Sequence, residues 1–197
     1  MPIENSKQTM KQHGPWKIVQ SSEVYRDPWI RVRKDDVVRP DGRMGTHSVV
    51  DLKPGVSVLA IDDDNQVYLT EEFHYGVGRV TLETVSGGIE LDEDGLTTAK
   101  RELQEELGIV AAGWTAVGLC DPFTASVVSP TQLFIARELT FGDHAQEGTE
   151  QIRCVKMTLD EAVQSVMDSE ITHGPSCLVI LKAARLNEAS ENVQGTG

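Results

Sequence analysis

Between residues 87 and 109 the chain reads Gly-Gly-Ile-Glu-Leu-Asp-Glu-Asp-Gly-Leu-Thr-Thr-Ala-Lys-Arg-Glu-Leu-Gln-Glu-Glu-Leu-Gly-Ile. Glu102 and Glu106 stand four residues apart, and Glu102 and Glu105 three apart, spacings that bring carboxylates onto one face of a helix. Like charges on one face repel, so the segment calls for a positive partner. A divalent cation is the simplest one. Mg²⁺ and Mn²⁺ are hard ions that take oxygen ligands and share them with substrate phosphates.

The rest of the segment supplies what such a site needs. Leu96, Ala99, Leu103 and Leu107 follow helical spacing and are expected to face the core. The opposite side, with Glu102, Glu105 and Glu106, then faces a cleft. Asp92, Glu93 and Asp94 suit the positive end of the helix, and Gly108 suits its termination. Gly87 and Gly88 permit a close backbone approach that a Cβ would block.

A Glu-rich helix is ordinarily a solvated face. Here the spacing is more specific: Gly87, five residues, Glu93, seven residues, Arg101-Glu102-Leu103, one residue, Glu105-Glu106, one residue, Gly108-Ile109. This resembles the Nudix box at every position, and a chance match in such a chain is on the order of 10⁻⁷. The resemblance implies an α+β Nudix fold, an α/β/α sandwich with a mixed sheet. It implies hydrolysis of a nucleoside diphosphate linked to another moiety, with Mg²⁺ as cofactor and Mn²⁺ as a substitute. It also implies metal ligation by Glu102, Glu105, Glu106 and the carbonyl of Ser86, and a brace between Glu93 and Arg101. Glu105 is either a ligand or the base that activates water.

Length and composition fit this reading. A chain of 197 residues is enough for one domain with a small extension. The formal net charge of -13, from 18 basic and 31 acidic side chains, argues against nonspecific binding to nucleic acid or anionic membranes. Cys120, Cys154 and Cys177 form no Cys-x-x-Cys motif, which suggests neither a zinc site nor a disulfide framework. The three thiols are expected to be buried in a reducing environment, and with the lack of a signal-peptide apolar core this predicts a cytoplasmic protein. No apolar run approaches the roughly 20 residues that cross a bilayer.

Residues 1–14 are expected to form a flexible tail, 15–53 a small antiparallel β extension, 54–186 the main domain and 187–197 a second flexible tail. Trp16-Lys-Ile-Val and Ile30-Arg-Val-Arg alternate as half-buried strands do. Asp62-Asp-Asp-Asn65 reads as a hairpin turn, since it lacks the glycine and bidentate Glu of a calcium loop. Thr158-Leu-Asp-Glu161 is a capping box, and a last helix is expected from Pro175.

Beyond the box, the N-terminal strands, Tyr75-Gly-Val-Gly-Arg79, Glu83 and the Thr158 helix look like the ADP-ribose pyrophosphatase branch. That resemblance implies a homodimer acting on ADP-ribose or a related nucleotide sugar. Glu83, four residues before Gly87, is expected to point into the same cleft. His74 stands where the branch usually has an arginine, and Arg79 is the alternative cation. Phe123 is a candidate for stacking on a base. Asp121, Glu147 and Glu150 are candidates for a general base outside the box, and Glu150 fits the family's acidic position better. Two other readings remain open at this point. One is hydrolysis of another dinucleotide or a nucleoside triphosphate; the other is a non-catalytic nucleotide-sensing module.

Overall fold

The computed structural model describes residues 10–142 and 151–194. The chain divides into two compact units. The first comprises residues up to Lys53 together with Phe123–Ser129. Its strands are β1 (Lys11–His13), β2 (Trp16–Arg26), β3 (Ile30–Val38) and β4 (Met44–Leu52), joined in that order as an antiparallel sheet. Lys11–His13 lies inside the stretch expected to be a flexible tail. Gly14, at φ 55°, turns the chain back, so that Lys11 pairs with Ile18 and His13 with Trp16. Asp35 is buried in this sheet, where the Ser21 hydroxyl and the Arg33 guanidinium satisfy it.

The second unit holds β5 (Gly55–Ile61), β6 (Gln66–His74), β7 (Arg79–Glu83), β8 (Val85–Gly88), β9 (Ile109–Cys120), then β11 (Thr131–Phe141) and β12 (Arg153–Thr158); β10 (Val127–Val128) belongs to the first unit, parallel to β4. The sheet order is β12-β6-β5-β11-β9, with β7 beside β6 and β8 beside β5. It is mixed: β11 runs parallel to β5, and the other pairings are antiparallel.

Both faces of this sheet are covered. On β5, Val56, Val58 and Ala60 pack with Leu103 and Leu107 of α1 (Gly95–Leu107). The alternate residues Leu59 and Ile61 pack with Leu159 and Ala162 of α2 (Leu159–Met167) and with Val179, Ile180 and Ala183 of α3 (Gly174–Gln194). A strand buried on both faces reads as a near-continuous apolar run, as 56–61 does.

Local signals set the ends of these elements. Asp94 caps α1 by accepting from the Thr97 N–H, and Gly108 ends it in the left-handed region at φ 65°. Thr158 and Glu161 form a reciprocal capping box on α2. The Asp62 carboxylate organises the β5–β6 turn by accepting from the Asp64 and Gln66 N–H groups, the Tyr68 hydroxyl and Lys156. Burial pushes its pKa up, but these donors outweigh burial and hold it below the usual value.

The end of the chain departs from expectation. α3 continues to Gln194, across residues expected to be a flexible tail. Extending an existing helix by polar residues is far easier than nucleating a new one. Arg137 and Asn65 also bond Asn187, and Arg185 pairs with Glu188. Among the described residues no helix is long and apolar enough to cross a membrane.

Candidate active site

The box residues meet where the β8 backbone runs beneath α1. Gly87 lies against the Glu102 side chain so closely that an added Cβ would overlap its carboxylate. This is the close approach expected of the glycine turn. Arg101, one residue earlier on the helix, gathers the acids. Its Nε and Nη2 donate to the two Glu93 oxygens at 3.0 and 3.1 Å, a two-point pairing of guanidinium with carboxylate. Its Nη1 lies 2.9 Å from both Glu102 Oε1 and Glu105 Oε2. One guanidinium thus ties the loop ahead of α1 to two glutamates on the helix and relieves their repulsion.

Glu93 also accepts from the Thr98 hydroxyl at 2.8 Å. The Arg101 and Thr98 hydrogen bonds hold the Glu93 carboxyl below its usual range. Its bonds to Glu93, ahead of those to Glu105, bind the Arg101 proton still more firmly than usual.

A second constellation was not foreseen. Glu83 stands at the end of β7. Its carboxylate accepts from the Thr81 hydroxyl at 2.7 Å and lies 3.4 Å from His74 Nε2 and 3.0 Å from His173 Nδ1. His173 directly precedes α3, and its Nδ1 is also 2.8 Å from Ser176 Oγ. Ser176 in turn accepts from the Thr84 N–H at 3.0 Å, and the Thr84 hydroxyl meets Ser57 at 2.6 Å. Ser57, Thr84 and Ser176 are fully buried. Arg79 donates to Thr172 at 2.9 Å. The start of α3 is therefore stitched to β7 and β8 at Thr172, His173 and Ser176.

Three residues expected to bind substrate, His74, Arg79 and Glu83, thus come together around the start of α3. Phe123 is exposed and belongs to the first unit. Glu147 and Glu150 lie outside the described residues. His173 carried no signal in the sequence, because it is 99 positions from His74 and has no ligand-like spacing to any other histidine.

The NUDIX domain matches residues 51–172, more than half of the chain. The chain belongs to the Nudix family. Residues 16–50 match the nucleoside diphosphate sugar hydrolase N-terminal domain. Together the two matches describe a Nudix hydrolase of nucleoside diphosphate sugars. Over 177 residues the chain is 25% identical to a methanol dehydrogenase activator of Bacillus methanolicus, covering 88% of this chain and 94% of that protein. Over 163 residues it is 26% identical to an ADP-ribose pyrophosphatase of Bacillus subtilis (strain 168), covering 79% and 85%. The fold resembles a crystal structure of an ADP compounds hydrolase, with a TM-score of 0.77 at 18% identity over 88% of this chain and 94% of that one.

The donor set suits the divalent cation that the Nudix family typically uses. Glu102, Glu105 and Glu106 offer hard oxygens on one helix, and the glycine at 87 lets the β8 backbone approach Glu102. Among the described residues, no group of three acidic, histidine or cysteine side chains is arranged to hold a metal ion. Arg101 carries the compensating charge instead.

Proposed function

We propose that this Nudix hydrolase cleaves the pyrophosphate of ADP-ribose, or a closely related nucleotide sugar, to AMP and a sugar phosphate. The observation that carries the proposal is the Arg101 hub, which holds Glu93, Glu102 and Glu105 in one braced array beside Gly87. The likeness to the Bacillus subtilis ADP-ribose pyrophosphatase supports the choice of sugar.

The Ser86 carbonyl, Glu102, Glu105 and Glu106 would hold Mg²⁺, with Mn²⁺ as a substitute. When bound, the cation neutralises pyrophosphate charge and lowers the pKa of an attacking water. The protein's own contribution is positioning, which dominates phosphoryl chemistry. Glu93 and Arg101 fix the helix against its preceding loop. Arg101 holds one oxygen of Glu105, which orients that carboxylate as a ligand or as the base that takes the water's proton. Glu150 is the other candidate base. Arg79 supplies positive charge for the substrate's phosphates, while His74 and Glu83 contact the rest of it.

The protein works as a homodimer in this account. Tyr25, Trp29 and Met44 of the first unit are exposed at 53%, 71% and 62%, apolar surface that a partner would cover. A monomeric mass in sedimentation at micromolar concentration contradicts this part.

The test of substrate is a panel of ADP-ribose, other nucleotide sugars, dinucleotides and nucleoside triphosphates, incubated with Mg²⁺ and resolved by chromatography. AMP released from ADP-ribose faster than any other compound is turned over supports the proposal. Preference for a triphosphate or dinucleotide moves the substrate, and silence across the panel favours a sensing role.

A further inference from the structure

Thr98 stands near the start of α1 and is fully buried. A buried hydroxyl costs free energy unless it is hydrogen-bonded. A helical threonine commonly meets this need by turning back to the carbonyl one turn earlier. For Thr98 that carbonyl belongs to Asp94, which already accepts the Thr98 backbone N–H at 3.0 Å. The Thr98 hydroxyl reaches out of the helix instead and donates to Glu93 Oε2 at 2.8 Å. A threonine hydroxyl has one proton to give, and this one goes to the loop carboxylate.

Glu93 is therefore gripped from two positions on α1. Its Oε2 accepts from Thr98 and from Arg101 Nη2, the latter at 3.1 Å, while its Oε1 accepts from Arg101 Nε at 3.0 Å. Thr98 and Arg101 are three residues apart, which makes them neighbours on one helix face. The remaining arm of the guanidinium, Nη1, donates to Glu105 Oε2 at 2.9 Å. Donors and acceptors thus form one chain from Thr98 through Glu93 and Arg101 to Glu105.

The members of this chain differ in how firmly they are held. The Arg101 and Glu93 side chains keep 31% and 17% of their surface exposed, and both are long and flexible. Thr98 is closed off from solvent and, being β-branched, has few rotamers in a helix. It is the fixed end. The guanidinium is a planar fork, so the plane in which Glu93 lies sets the direction of Nη1. Resting on the function proposed above, we propose that Thr98 is a positioning residue for the hydrolysis. Its hydroxyl fixes Glu93, Glu93 fixes the plane of Arg101, and that plane aims Nη1 at Glu105. Thr98 itself touches neither substrate nor metal. Removing an outer partner of this kind typically costs about 10- to 100-fold in activity or metal affinity.

Thr98→Val keeps the shape and removes the donor, whereas Thr98→Ser keeps the donor. The first measurement needs neither metal nor substrate. In the metal-free full chain, ¹⁵N–¹H NMR reads solvent exchange of the Arg101 Nε–H, which lies on Glu93. Exchange is expected to be about fivefold faster in Thr98→Val than in wild type, and near the wild-type rate in Thr98→Ser. The second measurement is kinetic, with Mg²⁺ and the nucleotide sugar that the wild type turns over fastest. Thr98→Val is expected to lower kcat about tenfold with KM within about twofold, and Thr98→Ser to restore kcat. Thr98→Ala, a better helix former that also lacks the donor, should fall with Thr98→Val. In a Glu93→Ala background, Thr98→Val should change kcat less than about twofold, because the group through which it acts is gone.

Unchanged Arg101 Nε–H exchange in Thr98→Val, a wild-type kcat in that variant, or an equal drop in the Glu93→Ala background overturns the positioning role and leaves the proposed function intact. A wild type that hydrolyses no nucleotide sugar overturns the proposed function, while the exchange rates still decide whether Thr98 holds the Glu93–Arg101 pair.

Discussion

Gly87→Ala isolates the packing of β8 against the catalytic helix. Gly87 is not in the left-handed region, so alanine meets no backbone penalty there. The methyl would instead overlap Oε1, Cδ and Cγ of Glu102. To restore ordinary van der Waals contact the carboxylate must retreat by more than about 1 Å, and a misplacement of that size can cost about 10²-fold in rate. The clash is with the end of a movable side chain, so the fold should absorb it within about 1 kcal/mol. The assay pairs Mg²⁺-dependent turnover of ADP-ribose with a thermal melt. The expected outcome is a drop of about two orders of magnitude in kcat with Tm within a few degrees of wild type. Turnover within threefold of wild type would refute the placement of Glu102. So would a variant that fails to fold, since the geometry assigns the overlap to a mobile carboxylate.

Three further outcomes are expected. Arg101→Lys keeps one charge but cannot span Glu93, Glu102 and Glu105 together; kcat/KM should fall by at least about tenfold, and a wild-type value counts against the hub. Thr158→Ala removes the α2 cap and should cost about 1 kcal/mol, read as a Tm lowered by about 2–4 °C with unchanged turnover. Glu93 has a folded pKa lowered from 4.5, chiefly by its Arg101 hydrogen bonds. Its contribution to stability is therefore fully present above that pH and is lost as pH falls through the lower folded value. The stability of Glu93→Gln should accordingly depend less on pH than wild type over that acid range, and parallel curves would show that the pair does not contribute.

The sequence was most informative where the structural cause is local. The Gly108 terminus of α1 and the capping box of α2 are each settled within a few residues, and both appear as read. The resemblance to the box implied the pairing of Glu93 with Arg101, and the two lie 3.0 Å apart. What the chain hides depends on distant segments. Val127 and Val128 pair in parallel with Val50 and Asp51, far earlier in the chain. The polar residues after Asn187 look unstructured, yet they prolong a helix already nucleated by its buried first half. The nearness of Glu83 to His173, 3.0 Å away and ninety positions later, is set by the fold and has no sequence signal. His74, which stands where the branch usually has an arginine, lies 3.4 Å from Glu83.

The central claim is that the glutamates of α1 carry out metal-dependent hydrolysis of a nucleotide sugar. The most direct test compares wild type with the Glu102→Gln, Glu106→Gln double variant, following AMP release from ADP-ribose with Mg²⁺ and again with chelator. The wild type is expected to release AMP in a chelator-sensitive way, and the double variant to lose nearly all turnover while still melting cooperatively. Undiminished AMP release by the double variant, or release that ignores the chelator, would contradict it.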